Sequence, residues 1–333
     1  MRRARTLAVV LPLLVFAAAC NGSSSGASST RSASSRATSV TSTATSAAPS
    51  STATTTSQAG SPTTEHPCGV APAGSRSYTH VIVVVMENHG FDQVAGASPY
   101  LNGLAAKCGL ATNYHAVTHP SLPNYIAIAS GTTGGLDGVD CEPAPDCSTG
   151  APSIFGQTSW RVYAESMPGP CARNGSGDYA PRHNPALYFT APAVTSACPA
   201  NDLPLGDGSG LRQALADPGS LPHYVMLIPN LCNDEHDCSV GTGDAWLAQH
   251  LPAILDSPAY RDGSTALVVT YDEDEGGDNT VYTVVASPTT PRGTTSGARF
   301  THASLLRTAE ELLGVPLLGG ARSAPSMRAA FGL

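Results

Sequence analysis

The stretch His80-Val-Ile-Val-Val-Val-Met86 runs straight into Glu87-Asn88-His89-Gly90-Phe91-Asp92. Six apolar residues in a row, five of them β-branched, suit a strand buried on both faces, because no polar residue alternates with them. Such a strand belongs to a parallel sheet covered by helices. The polar residues that follow it then stand on the sheet's carboxyl edge, where open α/β sheets bind their ligands.

Further apolar runs predict strands at Trp160–Ala164, Tyr224–Ile228, Ala266–Thr270 and Val281–Ala286. Between and after them, helical spacing predicts helices over Ser98–Lys107, Ser121–Ser130, Asp244–Asp256 and His302–Leu313. The last carries Leu305, Leu306, Ala309, Leu312 and Leu313 on one face, and Gly314 and Pro316 end it. Strands alternating with helices predict an α/β fold with a mainly parallel central sheet and helices on both faces. No internal repeat is visible.

Two more acidic clusters follow predicted strands. Tyr224–Ile228 leads into Asn230 and then Asn233-Asp234-Glu235-His236-Asp237; Ala266–Thr270 leads into Asp272-Glu273-Asp274-Glu275. If the strands are parallel, these clusters and Glu87-Asn88 meet on one edge. Carboxylates brought that close repel one another unless a cation neutralises them. Glu, Asp and Asn oxygens suit a hard or borderline divalent ion (Ca, Mg or Mn), and nearby histidine shifts the preference toward Zn. An isolated acidic run is more often a solvated loop; the matching partners after two other strands reverse that preference.

Thr118-His119-Pro120-Ser121-Leu122-Pro123-Asn124-Tyr125 places Ser121 at the start of a helix, where free N–H groups and the positive dipole end favour an anion. On local sequence alone the simpler reading of Ser121 as an N-cap, with Pro123 in the first turn, is the preferred one. No G-x-S-x-G exists, so a serine-esterase elbow is not supported. His183, in Arg182-His183-Asn184-Pro185, and His236, in the second acidic cluster, are candidates to donate to an anion or protonate a leaving group; His115 and His119 flank Ser121 in sequence.

Hydrophobic residues make up 41% of the 333-residue chain and charged residues 13%, with a formal net charge of −8 at pH 7. A sizeable core is therefore available, and without a concentrated basic face no nucleic-acid partner is expected. Residues 1–20 predict an export leader: Arg2, Arg3 and Arg5, then apolar Leu7 to Val15, then Ala17-Ala18-Ala19. Cys20 follows as in a bacterial lipobox, which predicts a lipid-anchored surface protein or, without the lipid, a secreted one. Residues 21–65, rich in Ser, Thr and Ala, predict a disordered tether, and 66–333 the catalytic domain. Of the nine cysteines, setting Cys20 apart leaves eight, enough for four disulfides outside the cytosol. Sequential pairing would close short loops, but spacing does not fix the connectivity. A zinc–cysteine site is disfavoured because no C-x-x-C occurs.

The stretches HVIVVVMENHGFD (80–92), THPSLPNYIAIASG (118–131), YAESMP (163–168), RHNP (182–185), IPNLCNDEHDCS (228–239), GDAWL (243–247), TYDEDEGG (270–277) and THASLLRTAEELLG (301–314) resemble, in order, the bacterial phosphoesterase family. That family groups secreted acid phosphatases with nonspecific phospholipases C. The resemblance implies an alkaline-phosphatase-like three-layer αβα sandwich. It implies a divalent metal ion on Glu87, Asn88, Asp272 and Glu273, Ser121 as the nucleophile, His183 and His236 against the phosphate, and His115 and Asn124 in substrate binding. Gly90 departs from the family's more usual Ser, and Asp278-Asn279 from the Asp-His of the phospholipase branch. The second departure favours a metal-dependent acid phosphatase acting through a phosphoserine on a small-molecule or lipid phosphate ester, as a monomer. A phospholipase C-type phosphodiesterase is the alternative, and a non-catalytic metal- or ligand-binding lipoprotein the remote one. No C-x-P-x-R exists for a sulfatase.

Overall fold

A computed structural model describes residues 61–333. The expected leader, Cys20 and nearly all of the tether lie outside the described residues. Nine strands form one sheet among the described residues: β1 (His80–Met86), β2 (Gly109–His115), β3 (Trp160–Ala164), β4 (Asp202–Pro204), β5 (Tyr224–Ile228), β6 (Thr265–Tyr271), β7 (Thr280–Ala286), β8 (Thr294–Ser296) and β9 (Phe300–Thr301). Their order is β4-β3-β5-β1-β6-β7-β2-β8, with β9 also beside β2. Strand β1 lies at the centre, parallel to β5 and β6, and β3 and β4 extend the parallel half. Only β7 runs against its neighbours β6 and β2.

All seven residues of β1 are buried, and since alternate side chains point to opposite faces, both faces are covered. The covering helices are α1 (Phe91–Ala97), α2 (Pro99–Lys107), α3 (Ser121–Ser130), α4 (Pro192–Asn201), α5 (Ser209–Ala216), α6 (Val240–Leu255), α7 (Pro258–Arg261), α8 (His302–Leu313) and α9 (Arg328–Phe331). Helices α3 and α8 pack on each other, with α8 against β1, while α1, α2, α5 and α7 gather round α6. The result is the mainly parallel α/β sandwich anticipated from β1.

Differences from the sequence expectation have local causes. Helix α6 starts at Val240, four residues before the expected Asp244, because Ser239 sits in the extended conformation of an N-cap; Pro252 does not interrupt it. Strand β2 was not anticipated: its outward positions Thr112 and Asn113 break the apolar run, and it lies near the sheet's edge. Gly314 ends α8 as expected, in the left-handed conformation (φ 67°) that a side chain would resist.

Four disulfides close: Cys68–Cys108, Cys141–Cys147, Cys171–Cys198 and Cys232–Cys238, the sequential pairing. Thr64, in the last part of the expected tether, donates its N–H (3.2 Å) and its hydroxyl to Asp256 just past α6. No described helix is long and apolar enough to cross a membrane.

His302 ties α8 to the end of β6. Its Nε2–H donates to the Asp272 carbonyl (2.6 Å), which leaves Nδ1 to accept from the Tyr114 hydroxyl (3.0 Å). Complete burial pushes its pKa from 6.5 down to about 4. The native state therefore binds fewer protons than the unfolded chain between those values, so His302 makes stability fall as pH drops from 6.5 toward 4, by about 3 kcal/mol in all. Urea unfolding across that window should give a shallower pH slope for His302→Gln than for the parent; superimposable slopes would refute the assignment. Replacing both Cys68 and Cys108 by Ser, which opens a loop of 40 residues, should lower the unfolding free energy by about 4 kcal/mol, against about 2 kcal/mol for the pair Cys141 and Cys147, six residues apart. Equal midpoints in urea for the two double variants would contradict the loop-length argument.

Candidate active site

Three loops meet beyond the carboxyl ends of β1, β5 and β6, and backbone hydrogen bonds fuse them. Glu87 N–H donates to the Asp234 carbonyl (2.8 Å), Asp272 N–H to that of Met86 (3.0 Å), and Glu275 N–H to that of Asn88 (3.1 Å). Asn88 takes a positive φ of 30°, a conformation Asn tolerates better than most residues, and its N–H donates to Asp272 Oδ1 (3.2 Å). Its side-chain amide donates to Glu275 Oε2 at 3.4 Å. Gly90 follows because space is lacking: a Cβ there would lie 2.7 Å from the Asp274 carboxylate, so the serine more usual in the family would need that loop to move.

Ser121 is the first residue of α3 and is buried. Its Oγ lies 2.9 Å from Glu87 Oε2 and 3.2 Å from Glu273 Oε1, so its one proton has two carboxylate acceptors. The other oxygen of Glu273 pairs with His119 Nδ1. Glu87 Oε1 and Asp272 Oδ2 are buried and have no hydrogen-bond partner. Burial, then the charges of Asp272 and Asp234, raises the Glu87 carboxyl well above its usual range. Burial, then Glu273, does the same to Asp272. Unpaired, mutually repelling carboxylates at full burial are what a bound cation would relieve, so the residues present fit a divalent metal.

His183 stacks flat on Tyr125 at 5.4 Å, and its Nδ1 meets Asp234 Oδ2 at 3.1 Å. Its Nε2 comes within 3.4 Å of Glu87 Oε1, but not in hydrogen-bonding geometry. Burial, reinforced by Arg182 and His236, holds its pKa well below the ordinary histidine value, so the ring is neutral at pH 7. Asp234 is pushed up to about 8, chiefly by burial. His236 lies beside His183 (ring centroids 5.6 Å apart), with Nδ1 on Asp237 Oδ1 at 2.7 Å. Ligand atoms of Glu87, His183 and His236 all lie within 4.8 Å of one another. Asp272 and Glu273 are outside that tight group: Glu273 reaches it through Ser121, and Asp272 through its bond to Asn88 N–H.

The remaining expected residues sit elsewhere. Asn124 is fully buried and its amide is spent on backbone: Oδ1 accepts from Val117 and Thr118 N–H, and Nδ2 donates to the Thr118 and Pro120 carbonyls. It braces the loop into α3 and has no donor or acceptor left for a substrate. His115, at the end of β2, meets Asn113 (2.7 Å) and Thr280 (3.4 Å) rather than Ser121. Sequence reasoning placed Asp234 only within the second acidic cluster and did not identify it as the partner of His183. It also passed over Arg182 and Asp140, which are 2.8 Å apart beside α3. An open cleft of about 550 Å³, lined by Gly90, Phe91, Asp92, Asp274, Glu275 and Thr280, begins one residue beyond Glu273 and does not include Ser121.

The model of the Phosphoesterase family matches residues 97–316, a span that holds Ser121, His183, His236, Asp272 and Glu273, with Glu87 and Asn88 just ahead of it. The chain is 31% identical over 269 residues to the phosphatidylinositol-3-phosphatase of Mycobacterium tuberculosis, covering 79% of this chain and 86% of that protein. It is 28% identical over 256 residues to the phosphate-repressible acid phosphatase of Penicillium chrysogenum, of which it spans 61%, with 73% of this chain covered. Among solved structures, a protein of the alkaline phosphatase superfamily from Vibrio parahaemolyticus superposes with a TM-score of 0.53 at 11% identity, covering 76% of this chain and 72% of that one. The lipoteichoic acid synthase LtaP of Listeria monocytogenes gives 0.51 at 11% identity, covering 76% and 77%. These structures share the fold. The family match extends over more than half of the residues: the chain belongs to the phosphoesterase family and is a phosphoric ester hydrolase.

Proposed function

We propose that the chain is an exported, divalent-metal-dependent phosphatase that cleaves phosphomonoesters through a phosphoserine on Ser121. The observation that carries this is the Ser121 hydroxyl between Glu87 and Glu273, beside buried carboxylate oxygens without partners. Glu87, Asn88, Asp272 and Glu273 would hold the metal; Glu87 with His183 and His236 is a second available donor set. A bound divalent ion supplies charge neutralisation and lowers the pKa of a nearby hydroxyl.

The chain's own residues then divide the work. Ser121 passes its proton to a neighbouring carboxylate and attacks phosphorus; the bond to the leaving oxygen breaks, and that oxygen takes a proton from His236 as the alcohol departs. In the second step water gives a proton to His236 as it attacks phosphorus; the bond from phosphorus to Ser121 Oγ breaks, and Oγ takes back the proton held by the carboxylate, giving inorganic phosphate and restoring the serine hydroxyl. His183, set by Asp234 and Tyr125, contributes a neutral ring against the phosphoryl oxygens. The relatives named as acid phosphatases and as a phosphatidylinositol-3-phosphatase support a phosphomonoester substrate, with lipid phosphates in range. Four disulfides support an oxidising compartment, and the leader-like residues with Cys20 support export and lipid anchoring at the end of a tether.

The test is phosphate release from an aryl phosphomonoester by chelator-stripped protein, with Ca, Mg, Mn or Zn added back singly. At least one ion should restore turnover, and Ser121→Ala should cut it by roughly three orders of magnitude with an unchanged melting temperature. Preferential cleavage of phosphatidylcholine would favour the phosphodiesterase instead, and no release with any ion would leave a non-catalytic binder.

A further inference from the structure

Arg182 has no part in the chemistry proposed above, yet it completes a ring of contacts that begins and ends at Ser121. Ser121 Oγ meets Glu87, and Glu87 Oε1 faces His183 at 3.4 Å. The His183 ring neighbours His236, whose Nε2 lies 3.4 Å from Arg182 Nη2. Arg182 Nε lies 2.8 Å from Asp140 Oδ2, and Asp140 Oδ1 accepts the N–H of Leu122, the residue after Ser121 (3.1 Å). The guanidinium is therefore tied to the first turn of α3 through Asp140 and to the histidine pair through His236.

Its surroundings differ from those of the other groups. The side chains of Glu87 and His183 are 0% and 2% exposed, whereas that of Arg182 is 26% exposed, so an incoming ligand can reach it. Charge points the same way. The side chains in contact around Ser121 are carboxyls and histidines, Glu87, Glu273, His183, Asp234 and His236, and Arg182 is the arginine that joins them through His236. Arginine stays protonated at any relevant pH, and its planar fork matches phosphoryl oxygens. Asp140, next to the Cys141–Cys147 bridge, lies against Nε as a close ion pair outside hydrogen-bonding geometry, and Nη2 faces His236.

On the footing of the phosphatase chemistry above, we propose that Arg182 is a substrate-binding residue that grips the oxygens of the phosphoryl group held at Ser121, with Asp140 as the residue that orients it. The probe is inorganic phosphate, titrated calorimetrically into the full chain. Arg182→Gln should weaken phosphate about 10- to 100-fold and raise KM for an aryl phosphate to match, the loss of a charge-assisted contact. Arg182→Lys, which keeps the charge without the fork, should recover part of the loss. Should Arg182→Gln fold poorly with Asp140 left unpaired, the neutral pair Arg182→Gln with Asp140→Asn removes both charges together and should show the same weakening. Wild-type phosphate affinity in either folded variant overturns the proposal while leaving the phosphatase reading intact. A parent chain that neither binds nor releases phosphate would overturn both.

Discussion

The constraint on which this site depends is electrostatic: four carboxylates, Glu87, Asp234, Asp272 and Glu273, lie buried along one edge of the sheet. Burial alone makes ionising each of them costly, and proximity adds to the cost for Glu87 and Asp272. Such an arrangement persists only if the scaffold holds it and something offsets the charge. Backbone bonds between the loops supply the hold, since Glu87, Asp272 and Glu275 each donate an N–H to a carbonyl of a neighbouring segment. Protons or a cation supply the offset. The strongly apolar β1 therefore has a role beyond the core: it anchors the one acidic residue whose two oxygens face Ser121 on one side and His183 on the other.

What could be read from the sequence follows from how local each feature is. Strand β1 declared itself because its neighbours cover it on both sides, leaving an uninterrupted apolar run. Glu87 and Asp272 followed, since each comes directly after such a run. Strand β2 hid because its exposed positions are polar and it pairs far away in sequence with β7. The pairing of His183 with Asp234 spans 51 residues, and that of Arg182 with Asp140 joins a single 3-10 turn (Pro181–His183) to a loop far earlier in the chain; no periodicity encodes either. Asn124 misled for the opposite reason. It lies in a motif-like stretch three residues from Ser121, where a structural amide and a functional one look alike until their hydrogen bonds are counted.

A gradient of exposure runs outward from the serine. Glu87 and His183 are sealed, while His236 and Arg182 reach solvent. The sealed pair owes its protonation to burial. His183 is kept neutral there, with Asp234 on one nitrogen and Tyr125 against its face, so its orientation is fixed even though it carries no charge. The outer pair is held by partners that are themselves partly exposed, Asp237 and Asp140, and the two meet each other through His236 Nε2 and Arg182 Nη2 at 3.4 Å.

Two of the four disulfides fall where that polarity creates a need for them. A loop built from Asn, Asp, Glu and His buries little apolar surface, so the hydrophobic effect cannot fix it as it fixes β1. Cys232–Cys238 brackets Asp234, Glu235, His236 and Asp237, and Cys141–Cys147 begins one residue after Asp140. Within the first bracket Glu235 takes φ 89°, unfavourable for a side chain of that size, and its carboxyl, pushed up to about 9 by burial, accepts from the Tyr271 hydroxyl at 3.1 Å. Tyr271 directly precedes Asp272. That bond therefore joins the loop carrying Asp234 to the strand carrying Asp272, and the covalent bracket around Glu235 holds the strained residue in place. Polar chemistry on the sheet's edge thus relies on cross-links and buried hydrogen bonds in place of packing, which accounts for these two disulfides in a domain large enough to be stable through its core alone.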